Sequence, residues 1–167
     1  IDPADSKTLD SENKTYEDYT QFLNADGLKG KRIGVYTQPL GANYKVDSLF
    51  AKAVAFMEAQ GAEMVELERI VDVAAGGHSF EIMLYEYKDG LNKYFASLGA
   101  NAPIKSVEEL IAFNQADSIE LKNYNQRYLE MAQEKGSLED EAYQNALATL
   151  MRLSREEGID KVMEENQ

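Results

Sequence analysis

Hydrophobic positions along this chain change their period once. In KRIGVYT, residues 31–37, Ile33, Val35 and Tyr36 are interrupted by Arg32 and Gly34, which predicts a strand. Pro39 and Gly41 in the following TQPLGAN break regular structure. Phe50, Val54 and Met57 then recur at i, i+4 and i+7, one face of a helix. Asp47, a favourable N-cap residue, predicts its start, and Gly61 its end. Met64, Val65 and Leu67 predict a second strand over about 63–68. Strand, helix and strand with short joints make a βαβ unit, so the two strands should run parallel.

From Ser79 onward the period is helical. Phe80, Leu84, Tyr87, Leu91, Tyr94 and Leu98 form a stripe that Gly99 ends. Ser106 with Glu109 predicts a capping box ahead of Leu110, Ile111 and Phe113. A further helix is expected over about 117–135, with Leu121, Tyr124, Tyr128 and Met131 on one side and Gly136 beyond its end. Another begins with Ser137 or Asp140 as cap, turns Tyr143, Leu147 and Leu150 inward and stops at Gly158. IDKVMEENQ adds a last turn or two. The expected fold class is α/β and mostly helical: a small parallel βαβ element, strands about 31–37 and 63–68, followed by several packed helices. Residues 1–27 read as an extended arm or linker and 28–167 as the βαβ and helical domain. In the arm only Tyr16, Tyr19, Phe22 and Leu23 could pack a short helical turn. Two parallel strands make a poor sheet alone and want both faces covered. A partial domain of a larger α/β fold is therefore expected, and the start at Ile1 without a Met agrees with an excised piece.

Composition narrows the chemistry. The 17 basic and 30 acidic residues leave a net charge of −13. Without a basic stripe to displace counterions, direct binding of nucleic acid is not expected. No apolar run approaches the roughly 18 residues that span a bilayer, so no membrane partner is expected. The absence of cysteine excludes thiol nucleophiles and thiolate metal sites. A single histidine, His78, excludes a histidine-rich metal site within the chain. No metal-binding, cofactor-binding or catalytic residue is assigned. Composition fixes no compartment; the cytoplasm is favoured over export.

GGHSF, residues 76–80, mimics a nucleophile beside a base. Neighbouring side chains at a helix start point apart, and no third group orients the imidazole. Position 81 is Glu where a nucleophile elbow requires Gly. Ser79 is better read as the cap of the following helix. TQPLGAN sits where α/β folds place ligands, at the carboxyl end of a parallel strand, but lacks the glycine and lysine spacing of phosphate loops. The carboxylates, Glu66 with Glu68 or Glu139 with Asp140 and Glu141, read as solvated faces.

Four segments taken in order, IDPADSKT, LKGKRIGVY, the stretch from Phe80 to Gln115 and the stretch from Tyr124 to Asp160, resemble the amidase signature family. The resemblance runs from Ile1 to about Glu165 and is strongest over Leu28–Val35, Phe80–Asn114 and Tyr124–Asp160. That family hydrolyses amides with a Ser–cis-Ser–Lys triad carried by a Gly- and Ser-rich stretch. This chain has no Ser-Ser pair. In the family those residues lie before the position matching Ile1, so no triad residue carries over. The resemblance implies a segment that is inactive alone and that joins a large mixed sheet in the remainder of the parent chain. It implies helices that help wall the substrate entrance, with Phe80, Leu84, Tyr85 and Tyr87 as the pocket-side candidates. The implied partners are the rest of the parent chain and, for the parent, a small-molecule amide substrate. Self-association through a bare docking face is also expected. The alternatives are a piece of a glutamyl-tRNA(Gln) amidotransferase A subunit, or a helical interaction module without catalysis; the acidic balance favours a stand-alone amidase over the amidotransferase.

Overall fold

The computed structural model describes residues 1–117 and 119–166. The chain divides into two units, Ile1–Glu68 and Arg69–Gln167. The arm thus falls in one unit with the βαβ element, and the helices form the other.

In the first unit, strand β1 (Arg32–Tyr36) pairs in parallel with β2 (Glu63–Leu67), in the register Arg32 to Glu63 through Tyr36 to Leu67. Helix α1 (Tyr44–Ala59) connects them, so the βαβ expectation holds. The helix starts three residues before Asp47. Asn43 is the N-cap, its Oδ1 accepting from Lys45 N–H at 3.1 Å. Asp47 instead lies in the first turn, where a carboxylate suits the helix dipole, and Oδ2 accepts from Gly41 N–H at 3.1 Å to close the loop. At the other end Gly61 adopts φ +88°, a left-handed conformation that a Cβ would strain, and its carbonyl accepts from Gly30 N–H at 2.8 Å.

This unit encloses little. Ala62 is its one buried hydrophobic among the described residues. Phe50, Val54 and Met57 are half-buried, while Val46, Leu49 and Phe56 leave a second apolar face of α1 in solvent, 59–70% exposed. In the arm, Asp5 and Asp18 each cap a short 3-10 turn, Ser6–Ser11 and Tyr19–Phe22. The rings of Tyr16, Tyr19 and Phe22 meet at centroid distances of 4.8–6.4 Å but stay exposed. The Thr20 hydroxyl and amide both donate to the Asp18 carboxylate, which holds its pKa below the usual value.

The second unit is built on α2 (Ala75–Ser97), 23 residues or about 35 Å long. It starts four residues before Ser79, so that serine sits within the helix and is not its cap. Asp72 marks the entry, Oδ1 accepting from Ala74 N–H at 2.8 Å. Gly76 and Gly77 are helical despite a propensity cost of about 1 kcal/mol each, because Ala75 and the turns beyond are packed. Helix α6 (Glu141–Met151) lies along α2, and Ile82, Tyr85, Tyr143 and Ala146 form the core between them, flanked by Leu138, Leu147 and Leu150. Leu84, Val107 and Ala132 are the most enclosed side chains, at 0–1% exposure. The buried face of α2 is therefore Ile82, Leu84 and Tyr85, rotated from the expected stripe, and Tyr87, Tyr94 and Leu98 reach solvent.

Helix α3 (Val107–Ala116) carries the expected cap. Ser106 Oγ accepts from Glu109 N–H at 3.1 Å, and Glu109 Oε2 accepts from Lys105 N–H at 2.7 Å. Asn92 on α2 adds a third bond, accepting from Val107 N–H at 2.9 Å. The single helix expected over 117–135 is instead two, α4 (Glu120–Asn123) and α5 (Arg127–Gln133), with Tyr124 extended between them. Ser118, inside the expected helix, lies outside the described residues. Side chains that bond the local backbone explain the interruption. Asp117 Oδ1 accepts from Ile119 and Glu120 N–H, and Asn125 Oδ1 from Arg127 N–H. Lys88 Nζ donates to the carbonyls of Gln133 and Lys135, satisfying the end of α5.

Gly158 breaks the helical path, as expected, with a non-helical backbone, and a last short helix follows it. After α6 the chain runs through a widened, π-type stretch, Arg152–Ile159, into α7 (Asp160–Asn166), bending at Gly158 with φ −110° and ψ −114°. Gly158 is buried, and a Cβ there would lie 2.6 Å from the Leu153 carbonyl oxygen. The break at Gly158 thus also requires close backbone approach, which the sequence does not show.

Candidate functional site

Two clefts flank Tyr87 on the surface of the helical unit. One, of about 250 Å³, lies where α2 faces the end of α3 and the interrupted α4–α5 segment. Tyr87, Tyr124 and Tyr128 supply its aromatic lining, and Asn114, Asn125 and Gln126 its carboxamides. The other, of about 620 Å³, is a shallow apolar groove between α2 and α6, lined by Met83, Leu147 and Leu150 with Ser79, Glu86 and Tyr87 at its sides.

Local folding positions these groups. Gln126 is 8% exposed and anchors the smaller cleft. Its Oε1 accepts from Asn114 Nδ2 at 3.3 Å, and its Nε2 donates to Glu130 Oε1 at 3.2 Å and to the Ile111 carbonyl at 3.5 Å. The extended backbone at Tyr124 lifts that ring to the rim, at 77% exposure. Phe80 packs edge-on to Tyr128, centroids 5.9 Å apart.

Beneath the groove, charged groups hold the helices. Lys135 Nζ bonds both Glu81 oxygens at 2.7 and 2.9 Å and lies 5.7 Å from the centre of the Tyr85 ring. Tyr143 O–H donates to Glu86 Oε1 at 2.9 Å. That bond, with burial and the negative charges of Glu86 and Asp89, raises the Tyr143 pKa above its ordinary value near 10. A raised folded pKa means the native state keeps a proton that the unfolded chain releases. The contribution is complete below about pH 10 and is lost as pH rises through the folded value. Tyr143→Phe should therefore flatten the loss of stability between about pH 9 and 11. Urea midpoints of both proteins across that range check this; parallel curves would contradict it.

No family model matches the sequence. A probable amidase of Arabidopsis thaliana is 32% identical over 173 residues, which are 99% of this chain and 32% of that protein. The native peptide amidase of Stenotrophomonas maltophilia superposes with a TM-score of 0.82 at 36% identity, over 96% of this chain and 33% of that one. The chain is an amidase-type segment. An amidase family protein from Bacillus anthracis also matches, with a TM-score of 0.75 and 27% identity over 99% of this chain and 32% of that one. The chain thus spans about a third of the length of the amidases it matches. The small parallel sheet with packed helices is a partial domain of their larger fold.

Within the amidase-type segment the four candidates named from the resemblance occupy different settings. Leu84, 1% exposed, and Tyr85, 6% exposed and 5.5 Å from Tyr143 between ring centres, lie in the interior. Phe80 is half-buried against Tyr128, and Tyr87, 43% exposed, borders both clefts. His78 and Ser79 sit in the first turns of α2, where consecutive residues point about 100° apart. Sequence reading missed Asn114, Asn125 and Gln126. Their signal was the carboxamide-rich run from Asn114 to Gln126, which interrupts the apolar period.

Proposed function

We propose that this chain forms part of the substrate-entrance wall of an amide hydrolase that acts on peptide amides, with the bond-breaking Ser, Ser and Lys supplied by sequence outside it. The observation that carries this reading is the match to a protein described as a peptide amidase, at a TM-score of 0.82 over 96% of this chain but a third of that one. The lack of any Ser-Ser pair supports placing the nucleophile elsewhere. Tyr87 would form the wall, presenting its aromatic face at both clefts, and Phe80 would support it by packing against Tyr128. Leu84 and Tyr85 would hold it from behind, since their burial fixes the rotation of α2. The apolar outer face of α1 supports a role as a docking surface for the remainder of such an enzyme, or for a second copy of this chain.

The test is turnover of peptide amides. The full-length gene product should hydrolyse them, and the 167-residue chain alone should not. In the full-length protein, Tyr87→Ala should raise KM several-fold with a smaller change in kcat, because it removes binding surface without touching the reacting atoms. Ser79→Ala should leave activity intact and change stability by no more than about 0.5 kcal/mol, as an exposed position within a helix. Turnover by the isolated chain that Ser79→Ala abolishes would overturn the reading.

A further inference from the structure

Lysines from two elements cross at the end of α5, one reaching from α2 and one reaching back to it. We propose that Lys88 and Lys135 are positioning residues that hold α5 on α2 and so fix Tyr128 beside Tyr87, setting the width of the cleft those two rings line. The proposal rests on the amide-hydrolase reading and adds which residues behind the wall set its shape.

Helix α5 has seven residues, too few to be stable alone, so its place depends on what ties its ends. The first end is held by Gln126, which bonds Asn114 and the Ile111 carbonyl of α3. The last end is held by α2. Lys88 Nζ donates to the carbonyls of Gln133 and Lys135, at the point where the helix leaves its carbonyls without partners of its own. Lys135 reaches back. Its Nζ donates to both Glu81 oxygens, at 2.7 and 2.9 Å, and lies 5.7 Å from the centre of the Tyr85 ring. The two side chains of that pair are 22% and 36% exposed, so salt screens it less than a surface pair.

The same turns of α2 carry the rings. Phe80 precedes Glu81 and Tyr87 precedes Lys88, two helical turns further on. The charged member of each pair binds the end of α5. Of the aromatic members, Phe80 packs edge-on to Tyr128, centroids 5.9 Å apart, and Tyr87 lines the cleft together with Tyr128. A shift of α5 on α2 therefore moves Tyr128 relative to Tyr87. In a cleft of about 250 Å³, a displacement the size of a methylene group changes which side chains fit. Lysine suits the joint, because one ammonium has donors enough for two carbonyls or both oxygens of a carboxylate. Methionine keeps most of the apolar stem without the charge, and arginine keeps the charge.

The position of α5 can be read without turnover, so this proposal and the catalytic one fail separately. In the 167-residue chain, NMR cross-peaks between the Phe80 and Tyr128 rings report where α5 lies, and those between Tyr85 and Tyr143 report the core. Lys135→Met should weaken the first set and leave the second, whereas Lys135→Arg should keep both. In the full-length protein, Lys135→Met should raise KM for N-acetyl-tyrosinamide by about 3-fold or more relative to N-acetyl-glycinamide, with kcat within about 2-fold. Lys135→Arg should restore the KM ratio, and Lys88→Met should repeat the effect where Lys135→Met does not fold. Unchanged Phe80–Tyr128 cross-peaks, loss of both sets together, or equal KM changes for the two amides would each overturn the proposal. A full-length protein that hydrolyses neither amide would sink the amide-hydrolase reading, and the cross-peaks would still decide whether the lysines position α5.

Discussion

Replacing Leu84 with Ala should destabilise the helical unit by about 2–5 kcal/mol, the largest effect expected of any single truncation here. Leu84 is 1% exposed, on the longest helix of the unit, amid neighbours that are themselves buried on α2. Removing three carbons forfeits their transfer free energy and leaves a cavity. The surroundings can close it only in part, because α2 is tied down along its length. Asn92 bonds the start of α3, Lys88 the end of α5, and Glu81 pairs with Lys135. Urea unfolding followed by circular dichroism at 222 nm measures the loss as a lower midpoint with a similar slope. Tyr87→Ala, on the next turn but 43% exposed, is the matched control and should cost less than about 1 kcal/mol. If the two variants cost the same, the rotation of α2 described above is wrong.

Gly158→Ala should be nearly as damaging, at about 1–3 kcal/mol, although it adds only a methyl group. The added Cβ would stand 2.6 Å from the Leu153 carbonyl oxygen and 3.4 Å from that of Ile70. Both neighbours are backbone, so neither can swing aside as a long side chain would. Ala is otherwise the best helix former, and were Gly158 a simple helix terminus or a flexible link the change would be mild. The opposing expectations make the experiment decisive. A fall in melting temperature of several degrees supports close packing at the bend, and an unchanged or higher value contradicts it. Gly90→Ala is a suitable companion, because nothing lies within 4 Å of a Cβ built there; it should stabilise α2 by up to about 1 kcal/mol.

The elements that could be read from the chain are those in which local signals agree with one another. Ile33, Val35 and Tyr36 ahead of Pro39 and Gly41, and Met64 to Leu67 after Gly61, mark two strands whose short joints leave little choice but a parallel crossover. Ser106 and Glu109 mark the start of α3 because a capping box is satisfied within four residues. The candidate wall was legible only as a resemblance. It placed Phe80, Leu84, Tyr85 and Tyr87 in one class, since a stripe of large apolar residues does not say which of them meet a neighbouring helix.

The order of elements, their parallel pairing, the acidic surface and the absence of thiol or multi-histidine chemistry follow from residue types and spacing alone, because each depends on interactions within a few residues or on composition. The rotation that buries Ile82, Leu84 and Tyr85 while leaving Tyr87 at a cleft came from the packing of α6 and α5 against α2, at separations of about 45–60 residues. Side chains of Asp117 and Asn125 that bond the local backbone split the helix expected over 117–135, and only the fold shows that Gln126 beside the break turns into the interior to bond α3. At the Gly158 bend the Leu153 carbonyl oxygen occupies the space a side chain would need, and the distant Ile70 carbonyl closes the position from outside the helix. Periodicity reports that a face is apolar; which neighbour covers it depends on where the rest of the chain returns in space.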